Sequence, residues 1–258
     1  MTMHYGFEMA LQENEILVDP LVINSHKLDL SNKVVDLTKY FLSDNQSIDA
    51  ELIAKHLFPE MRCDVFISHS FNDRSKAIQL AHDLRKRGIV AFVDSMFWGS
   101  AYELLRAIDN KYSIPFGQKD YSYERLNRSA AHVNMILATA LQKMIMHSSM
   151  LLFLSTENSI STKHSVQDEK KTHSAWIHME LTFSHMLWQI EQSKNLLDGM
   201  ESYKSESASI YHKAETEHLK TLTYSKFSSW LNSLKVKNDN QAFTTAAANL
   251  YRNPNRVL

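Results

Sequence analysis

The chain has 258 residues, of which 44% are hydrophobic and 22% charged, and its formal net charge at pH 7 is −1. This composition is typical of a folded globular protein and excludes a collagen-like or highly charged disordered chain. The near-neutral charge provides no basic field that would attract nucleic acid or anionic lipid. The only cysteine, Cys63, excludes an internal disulfide and any multi-cysteine zinc or iron–sulfur site.

Two further classes of protein are excluded by the spacing of glycines and apolar residues. The five glycines lie too far apart for a dinucleotide-binding G-x-G-x-x-G loop or a Walker loop. No apolar run reaches the roughly 18 to 20 residues that a membrane-spanning helix needs. The first ten residues contain Glu8 but no lysine or arginine, so they do not resemble a secretory signal. We therefore expect a cytoplasmic protein with neither a nucleic-acid nor a membrane partner.

Residues 1–62 are predicted to form a helical extension that packs on the rest of the chain. Apolar side chains recur at helical spacing over residues 32–42 and again over residues 48–57. Pro59 ends the second of these predicted helices because proline cannot continue the helical hydrogen bonding.

A βαβ unit begins the main domain. An apolar run at residues 64–68 leads into an amphipathic helix, which Asn72 or Asp73 is placed to cap and which Gly88 ends. A second apolar run follows at residues 89–93. Continuous rather than alternating apolarity indicates strands buried on both faces, which is typical of a parallel sheet. The predicted fold class is therefore α/β.

The remaining elements extend the same pattern along the chain. We predict in turn a short helix (102–109), a polar loop insertion (about 110–130), a long helix (132–147), a third strand (150–154), a helix (174–192), a weak strand (209–211) and a helix (224–234). The main domain then spans residues 63–234, and residues 235–258 form a tail without an informative pattern.

The predicted helix 174–192 contains the candidate catalytic residue. Its apolar stripe comprises Trp176, Met179, Phe183, Met186, Leu187 and Ile190. At about 100° per residue, Glu180 lies roughly 40° from Trp176, at the margin of this stripe. A carboxylate that is partly desolvated there has a raised pKa and attracts a nearby cation. The alternative is that Glu180 is the solvated border residue found on every amphipathic helix.

Three motifs occur in order along the main domain. They are the run Asp64–Ser70 (DVFISHS), Asp94-Ser95 followed by Trp98-Gly99, and Ser174-x-Trp176-x-x-x-Glu180-Leu181. Together they resemble the Toll/interleukin-1 receptor (TIR) domain, and most of all bacterial TIR proteins, including the TIR subunits of Thoeris anti-phage systems. The resemblance covers residues 63–192, and residues 205–234 more loosely. It implies a flavodoxin-like fold with a mainly parallel central sheet and helices on both faces.

The resemblance also implies an activity, which is cleavage of the nicotinamide–ribose bond of NAD with Glu180 as the essential carboxylate. A fixed carboxylate stabilises the oxocarbenium-like cation that forms when a glycosidic bond breaks. NAD is then a substrate, and neither a cofactor nor a metal is implied. Capture of the ribosyl cation by water, by an adenine nitrogen or by another nucleophile gives linear, cyclic or conjugated ADP-ribose. Self-association through TIR domains and a separate effector that responds to the product are the implied partners.

Substrate-binding roles are assigned by position after the strands, because ligands of parallel sheets bind beyond the carboxyl ends of the strands. Ser155 and Thr156 leave the third strand at the same edge. The substrate-binding candidates are Ser68, His69, Ser70, Phe71, Arg74, Asp94, Ser95, Trp98 and Trp176. Four of them also have a structural alternative. Ser70 fits a turn residue, Asp94 a cap and Arg74 an ordinary surface position, and the resemblance more often implies a packing role for Trp98.

Other functions remain as alternatives. The chain lacks the Arg-Asp-x-x-Pro-Gly loop of animal receptor TIR domains, which weakens a receptor-adaptor role, but a non-enzymatic TIR scaffold is the competing hypothesis. A phosphate-switched or redox flavodoxin-like domain is disfavoured, since no glycine-rich phosphate loop is present. His212, Glu215 and His218 share one helical flank, but no fourth ligand is evident, so we expect no metal site.

Overall fold

The computed structural model describes residues 4–25, 49–57, 63–96, 98–161, 170–193, 212–234 and 239–254. Seven strands are found in these ranges: β1 (Tyr5–Ala10), β2 (Val65–Ser68), β3 (Ala91–Val93), β4 (Met150–Ser155), β5 (Lys171–Thr172), β6 (His212–Lys213) and β7 (Lys220–Thr223). Five of them form the central sheet in the order β3-β2-β4-β1-β7, and all neighbours in this sheet are parallel. The strands β5 and β6 form a separate antiparallel pair.

The helices pack on both faces of this sheet. They are α1 (Ala50–Leu57), α2 (Arg74–Arg85), α3 (Trp98–Tyr112), α4 (Tyr123–His147), α5 (Ala175–Ser193), α6 (Tyr224–Ser233) and α7 (Asn240–Arg252). The prediction of an α/β fold with a parallel sheet and helices on both faces is thereby confirmed. No helix among the described residues is both long and apolar enough to cross a membrane.

Alternating side chains of the central strands build two separate apolar cores. Val65 and Ile67 of β2 point to one face, where they pack in a cluster with residues of α2, α6 and α7. Phe66 of β2 and Leu151 of β4 point to the opposite face and pack with residues of α3, α4 and α5. These strands read as continuous apolar runs because both of their faces are buried.

The N-terminal residues supply an inner strand of the sheet, which the predicted helical extension did not include. The strand β1 lies between β4 and β7, and Tyr5, Phe7 and Met9 are buried in the same core as α6 and α7. Alternating large apolar residues over Tyr5–Met9 are the sequence signal for this strand. Of the two predicted N-terminal helices, 48–57 is confirmed as α1, whereas 32–42 lies outside the described residues.

Two other predictions about the elements need correction. The predicted loop insertion at about 110–130 is shorter than expected, because α3 continues to Tyr112 and α4 already begins at Tyr123. The irregular loop between them spans residues 113–122 and contains Pro115 and Gly117. The C-terminal tail also contributes to the fold, since Phe243 and Ala247 of α7 are fully buried. The weak strand predicted at residues 209–211 lies outside the described residues.

Candidate active site

Polar side chains gather at the carboxyl edge of the sheet, where its topology reverses. The strand β2 pairs with β3 on one side and with β4 on the other, so the chain leaves β2 in one direction and later returns on the other side. Ser68 is the last residue of β2, Asp94 directly follows β3 and Thr156 directly follows β4. Ligands of open α/β sheets bind at this kind of switch point.

Glu180 lies in the middle of the buried face of α5. Its side chain is only 1% exposed, and its neighbours on the same face, Ile177, Leu181 and Ser184, are buried as well. Ser68 Oγ donates a hydrogen bond of 2.6 Å to Glu180 Oε2. The alternative that Glu180 is a solvated border residue is therefore wrong.

The predicted apolar stripe of this helix is rotated relative to the observed buried face. Met186 and Ile190, which the stripe placed inward, are exposed, and Trp176 is only partly buried. The error has a simple cause. The stripe followed the largest apolar side chains, whereas the helix buries a face on which a glutamate and a serine alternate with Ile177, Leu181 and Leu187.

Burial raises the pKa of Glu180 well above its ordinary value, because an ionised carboxylate loses its hydration in the protein interior. The negative charge of the neighbouring Asp94 raises this pKa further, while the hydrogen bond from Ser68 opposes the shift. A side-chain hydrogen bond with Asp94 raises this pKa as well, and no other group in the described ranges pairs with the buried Glu180 Oε1. A buried carboxyl group with so few hydrogen-bond donors is uncommon in folded proteins, and groups of this kind cluster at functional sites.

Asp94 belongs to a compact polar cluster with His69 and Ser95. His69 Nδ1 lies 3.3 Å from Asp94 Oδ1, and His69 Nε2 lies 2.7 Å from Ser95 Oγ. The backbone N–H of Ser95 donates to Asp94 Oδ1 at 2.7 Å. All three side chains are buried, so these contacts fix the orientation of the Asp94 carboxylate beside Glu180.

A second cluster joins the loop after β2 to the loop after β4 through Asp73. The Asp73 carboxylate accepts hydrogen bonds from Ser70 Oγ (2.5 Å), Thr156 Oγ1 (2.6 Å) and Lys76 Nζ (3.1 Å). Burial raises the pKa of Asp73, but these hydrogen bonds and the Lys76 charge outweigh it, so the pKa is lowered. The Asp73 side chain makes no capping hydrogen bond to α2, and this part of the prediction is wrong.

Asp73 was not predicted as a site residue, although a signal for it exists. It follows a buried strand by five residues and lies one turn before Lys76, a spacing that suits an ion pair. Its contact with Thr156 could not be found from the sequence, because 83 positions separate the two residues.

The remaining predicted substrate-binding residues are placed around this edge in different ways. Phe71 is 72% exposed and lies three residues after the end of β2, while Trp176 is partly buried against the α3–α5 core. Arg74 begins α2, and its Nε is buried without a hydrogen-bond partner in the described part of the chain. Trp98 begins α3, and its side chain is outside the described set.

The three residues considered as metal ligands contact other side chains, and His185 is near two of them. His212 stacks on His178, Glu215 lies near His185, and His218 hydrogen-bonds to Ser184. Within the ranges that the structure describes, no group of three or more histidine, cysteine, aspartate or glutamate side chains could hold a metal ion.

The fold and the edge cluster define a doubly wound α/β protein with a buried, pKa-shifted carboxylate at the switch point of its sheet. Comparisons with models of protein families, with curated proteins and with solved structures found no match for this chain. The geometry of the site and the sequence motifs are therefore the basis for inferring the function of this chain.

Proposed function

We propose that this chain is a bacterial TIR-type enzyme that cleaves the nicotinamide–ribose bond of NAD, with Glu180 as the catalytic carboxylate. The observation that carries the proposal is the position of Glu180. It is buried at the carboxyl edge of the sheet, held by Ser68 through Oε2, and it lies beside the acidic side chain of Asp94.

The chemistry of the reaction suits a single buried carboxylate. When the bond between ribose C1′ and the nicotinamide nitrogen breaks, its electron pair leaves with nicotinamide, which becomes neutral. The positive charge then resides on the ribose ring, where a nearby carboxylate stabilises it. No general acid is required, because the leaving group needs no proton.

The raised pKa of Glu180 is compatible with this role. Before NAD binds, burial and Asp94 favour the protonated acid. The nicotinamide ring of NAD carries a positive charge, and an opposite charge within a few ångströms favours the ionised carboxylate. Binding of the substrate therefore favours release of the Glu180 proton to solvent, which leaves the negative charge that the transition state requires.

The surrounding residues take supporting roles in this proposal. Ser68 orients the Glu180 carboxylate, and the cluster of His69, Asp94 and Ser95 sets the negative field beside it. Arg74 lies at the beginning of α2, a position that suits the NAD pyrophosphate. Phe71 and Trp176 are placed to stack on a flat ring.

The product is an ADP-ribose derivative, linear, cyclic or conjugated according to the nucleophile that captures the ribosyl cation. In anti-phage defence such a nucleotide acts as a cytoplasmic signal to a separate effector. Because Glu180 is 1% exposed in the single chain, we propose that activity requires self-association that opens the edge of the sheet.

The burial of Glu180 also favours one competing function, which is a TIR scaffold without enzymatic activity. In a scaffold, Glu180 and Asp94 only hold the loops after β2 and β3 together. The two functions differ in one observable, which is the release of nicotinamide.

The test is incubation of the full chain with NAD, at high protein concentration and in lysate of phage-infected cells, with nicotinamide measured by chromatography. Replacement Glu180→Gln keeps the side-chain shape and removes the charge, and we expect at least a roughly 100-fold loss of nicotinamide release. The matched control is Glu103→Gln, an exposed glutamate of α3, which we expect to retain full activity. Equal nicotinamide release by Glu180→Gln and the parent contradicts the assignment, and no release under any condition favours the scaffold.

A further inference from the structure

A second candidate site lies between α1, α3 and α4, away from Glu180. A cavity of about 720 Å³ opens there, with Ile53 of α1, Ile108 of α3 and Val133 of α4 on its walls. Ligand pockets in proteins usually have volumes of about 300–1,000 Å³. None of the residues assigned to the Glu180 site lines this cavity, so its ligand is a different one.

The cavity combines an apolar interior with a basic rim. Ile53, Ile108 and Val133 are buried, and Ile136 adds a partly buried side chain. Arg125, Arg128 and His132 of α4 also line the cavity. These three residues are spaced by three and four positions, which places them on one face of the helix.

The guanidinium group of Arg125 has N–H donors that can bind a further acceptor. Its Nη1 donates to the main-chain carbonyl of Tyr112 at 3.2 Å, and no carboxylate among the described residues pairs with it. Arg128 contacts Glu124 at 3.0 Å, but both side chains are strongly exposed, so this ion pair exchanges readily with another anion. The rim therefore offers guanidinium donors to an incoming anion.

The serines in the wall do not compete for such an anion. The hydroxyls of Ser113 and Ser129 both donate to Asp109 Oδ1, which fixes them within the protein. Because carboxylates and phosphates match the planar guanidinium, the charged end of a ligand belongs at the arginines.

We propose that this cavity binds an amphiphilic anion, a small molecule with an apolar body and a carboxylate or phosphate head. The body fills the space between Ile53, Ile108 and Val133, and the head contacts Arg125 and Arg128 at the rim. This site is independent of the proposed NAD cleavage, and its test does not depend on that activity.

The test is titration calorimetry of the full chain with four probes, namely decanoate and decyl phosphate below their micelle concentrations, neutral decanol, and acetate. We expect one decanoate or decyl phosphate per chain, and at least tenfold weaker binding of decanol and of acetate. The two charged probes distinguish a fatty-acid-like ligand from a phosphate ester.

Variants locate the binding in this cavity. Arg125→Gln is expected to weaken binding of the charged probe at least tenfold, whereas Lys143→Gln, which removes an exposed charge elsewhere on α4, changes it less than twofold. Ile136→Trp fills the space and is expected to abolish binding, and thermal unfolding shows whether each variant folds. If Ile136→Trp does not fold, the affinities of Arg125→Gln and Lys143→Gln for the charged probe are compared to decide whether the probe binds in this cavity. Equal affinity for decanol and decanoate, an unchanged affinity in Arg125→Gln, or no binding of either charged probe overturns the proposal.

Discussion

Helix α5 buries two polar side chains one turn apart, Glu180 and Ser184. They differ in the groups that contact them in the protein interior. Ser184 lies toward the amino edge of the sheet, where its hydroxyl contacts His4 Nε2 at 3.1 Å and His218 Nε2 at 2.9 Å. Glu180 lies toward the carboxyl edge, with Ser68 on one oxygen and a second acid, Asp94, nearby.

Burial changes the pKa values of the ionisable groups differently in the two regions. Around Ser184, burial lowers the pKa of His4 to about 4 and that of His218 to about 3, so both imidazoles are neutral at pH 7. Around Glu180, two acidic groups share one buried region, and no basic side chain in the described ranges forms an ion pair with Glu180. The first arrangement suits a structural role, whereas a buried acid with a raised pKa, such as Glu180, is characteristic of functional sites.

The largest expected effect on stability concerns the Ser184 region. Ser184→Ala removes the hydroxyl between His4 and His218 and leaves two buried ring nitrogens without their partner. We expect the free energy of unfolding to fall by about 4 kcal/mol, roughly 2 kcal/mol for each nitrogen. Urea unfolding measures this loss, and Ser225→Ala, an exposed serine of α6, is the control.

Nicotinamide release per folded molecule should not change in Ser184→Ala if the two regions have separate roles. A loss of release as large as that in Glu180→Gln, in protein shown to be folded, would remove the distinction between them.

The next largest expected effect is a decrease in the free energy of unfolding at acidic pH. His4 has a folded-state pKa of about 4, below its unfolded value of 6.5, so the unfolded chain binds more protons between these values. Stability is therefore complete above about pH 6.5 and decreases as the pH falls toward 4, by about 3 kcal/mol for this group. His218 acts in the same direction.

Unfolding by urea at a series of pH values measures this acid slope. We expect His4→Gln to reduce it, since glutamine does not titrate. A slope that is the same in His4→Gln and in the parent would show that His4 is not buried in its neutral form.

A smaller effect is expected at the carboxyl edge. The Ser68 hydroxyl lowers the pKa of Glu180 by hydrogen bonding to its ionised form. Ser68→Ala should therefore move the acid limb of the pH profile of nicotinamide release to higher pH, by about one unit for a bond of roughly 1.4 kcal/mol. Ser70→Ala, which removes a hydroxyl bonded to Asp73 instead, should leave that limb in place. An identical shift in both variants would contradict a specific role of Ser68.

The sequence predicted the carboxyl edge better than the amino edge, for a physical reason. Ser68 ends one strongly apolar strand, Asp94 directly follows another, and Glu180 lies in the second turn of a helix that starts at the same edge, so their position at the edge of a parallel sheet could be predicted. The contact between His4 and Ser184 joins residues 180 positions apart, and it depends on β1 entering the sheet between β4 and β7. Local periodicity contains no information about such a pairing.

The orientation of α5 shows a second limit. Periodicity identified the helix but rotated its buried face, because a hydrophobic pattern cannot anticipate that Glu180 and Ser184 are inside. Burial of these two groups depends on partners from other elements, Ser68 for the one and His4 and His218 for the other.

The ionisation of Glu180 tests the central claim most directly. It can be followed by titrating the ¹³C resonance of its side-chain carboxyl group, first in the free protein and then in the same protein with NAD bound at low temperature, where turnover is slow. We predict a pKa well above the ordinary glutamate value in the free protein and a lower pKa once the positively charged nicotinamide ring is bound. An ordinary pKa in the free protein, or a pKa that saturating NAD leaves unchanged, would contradict the account.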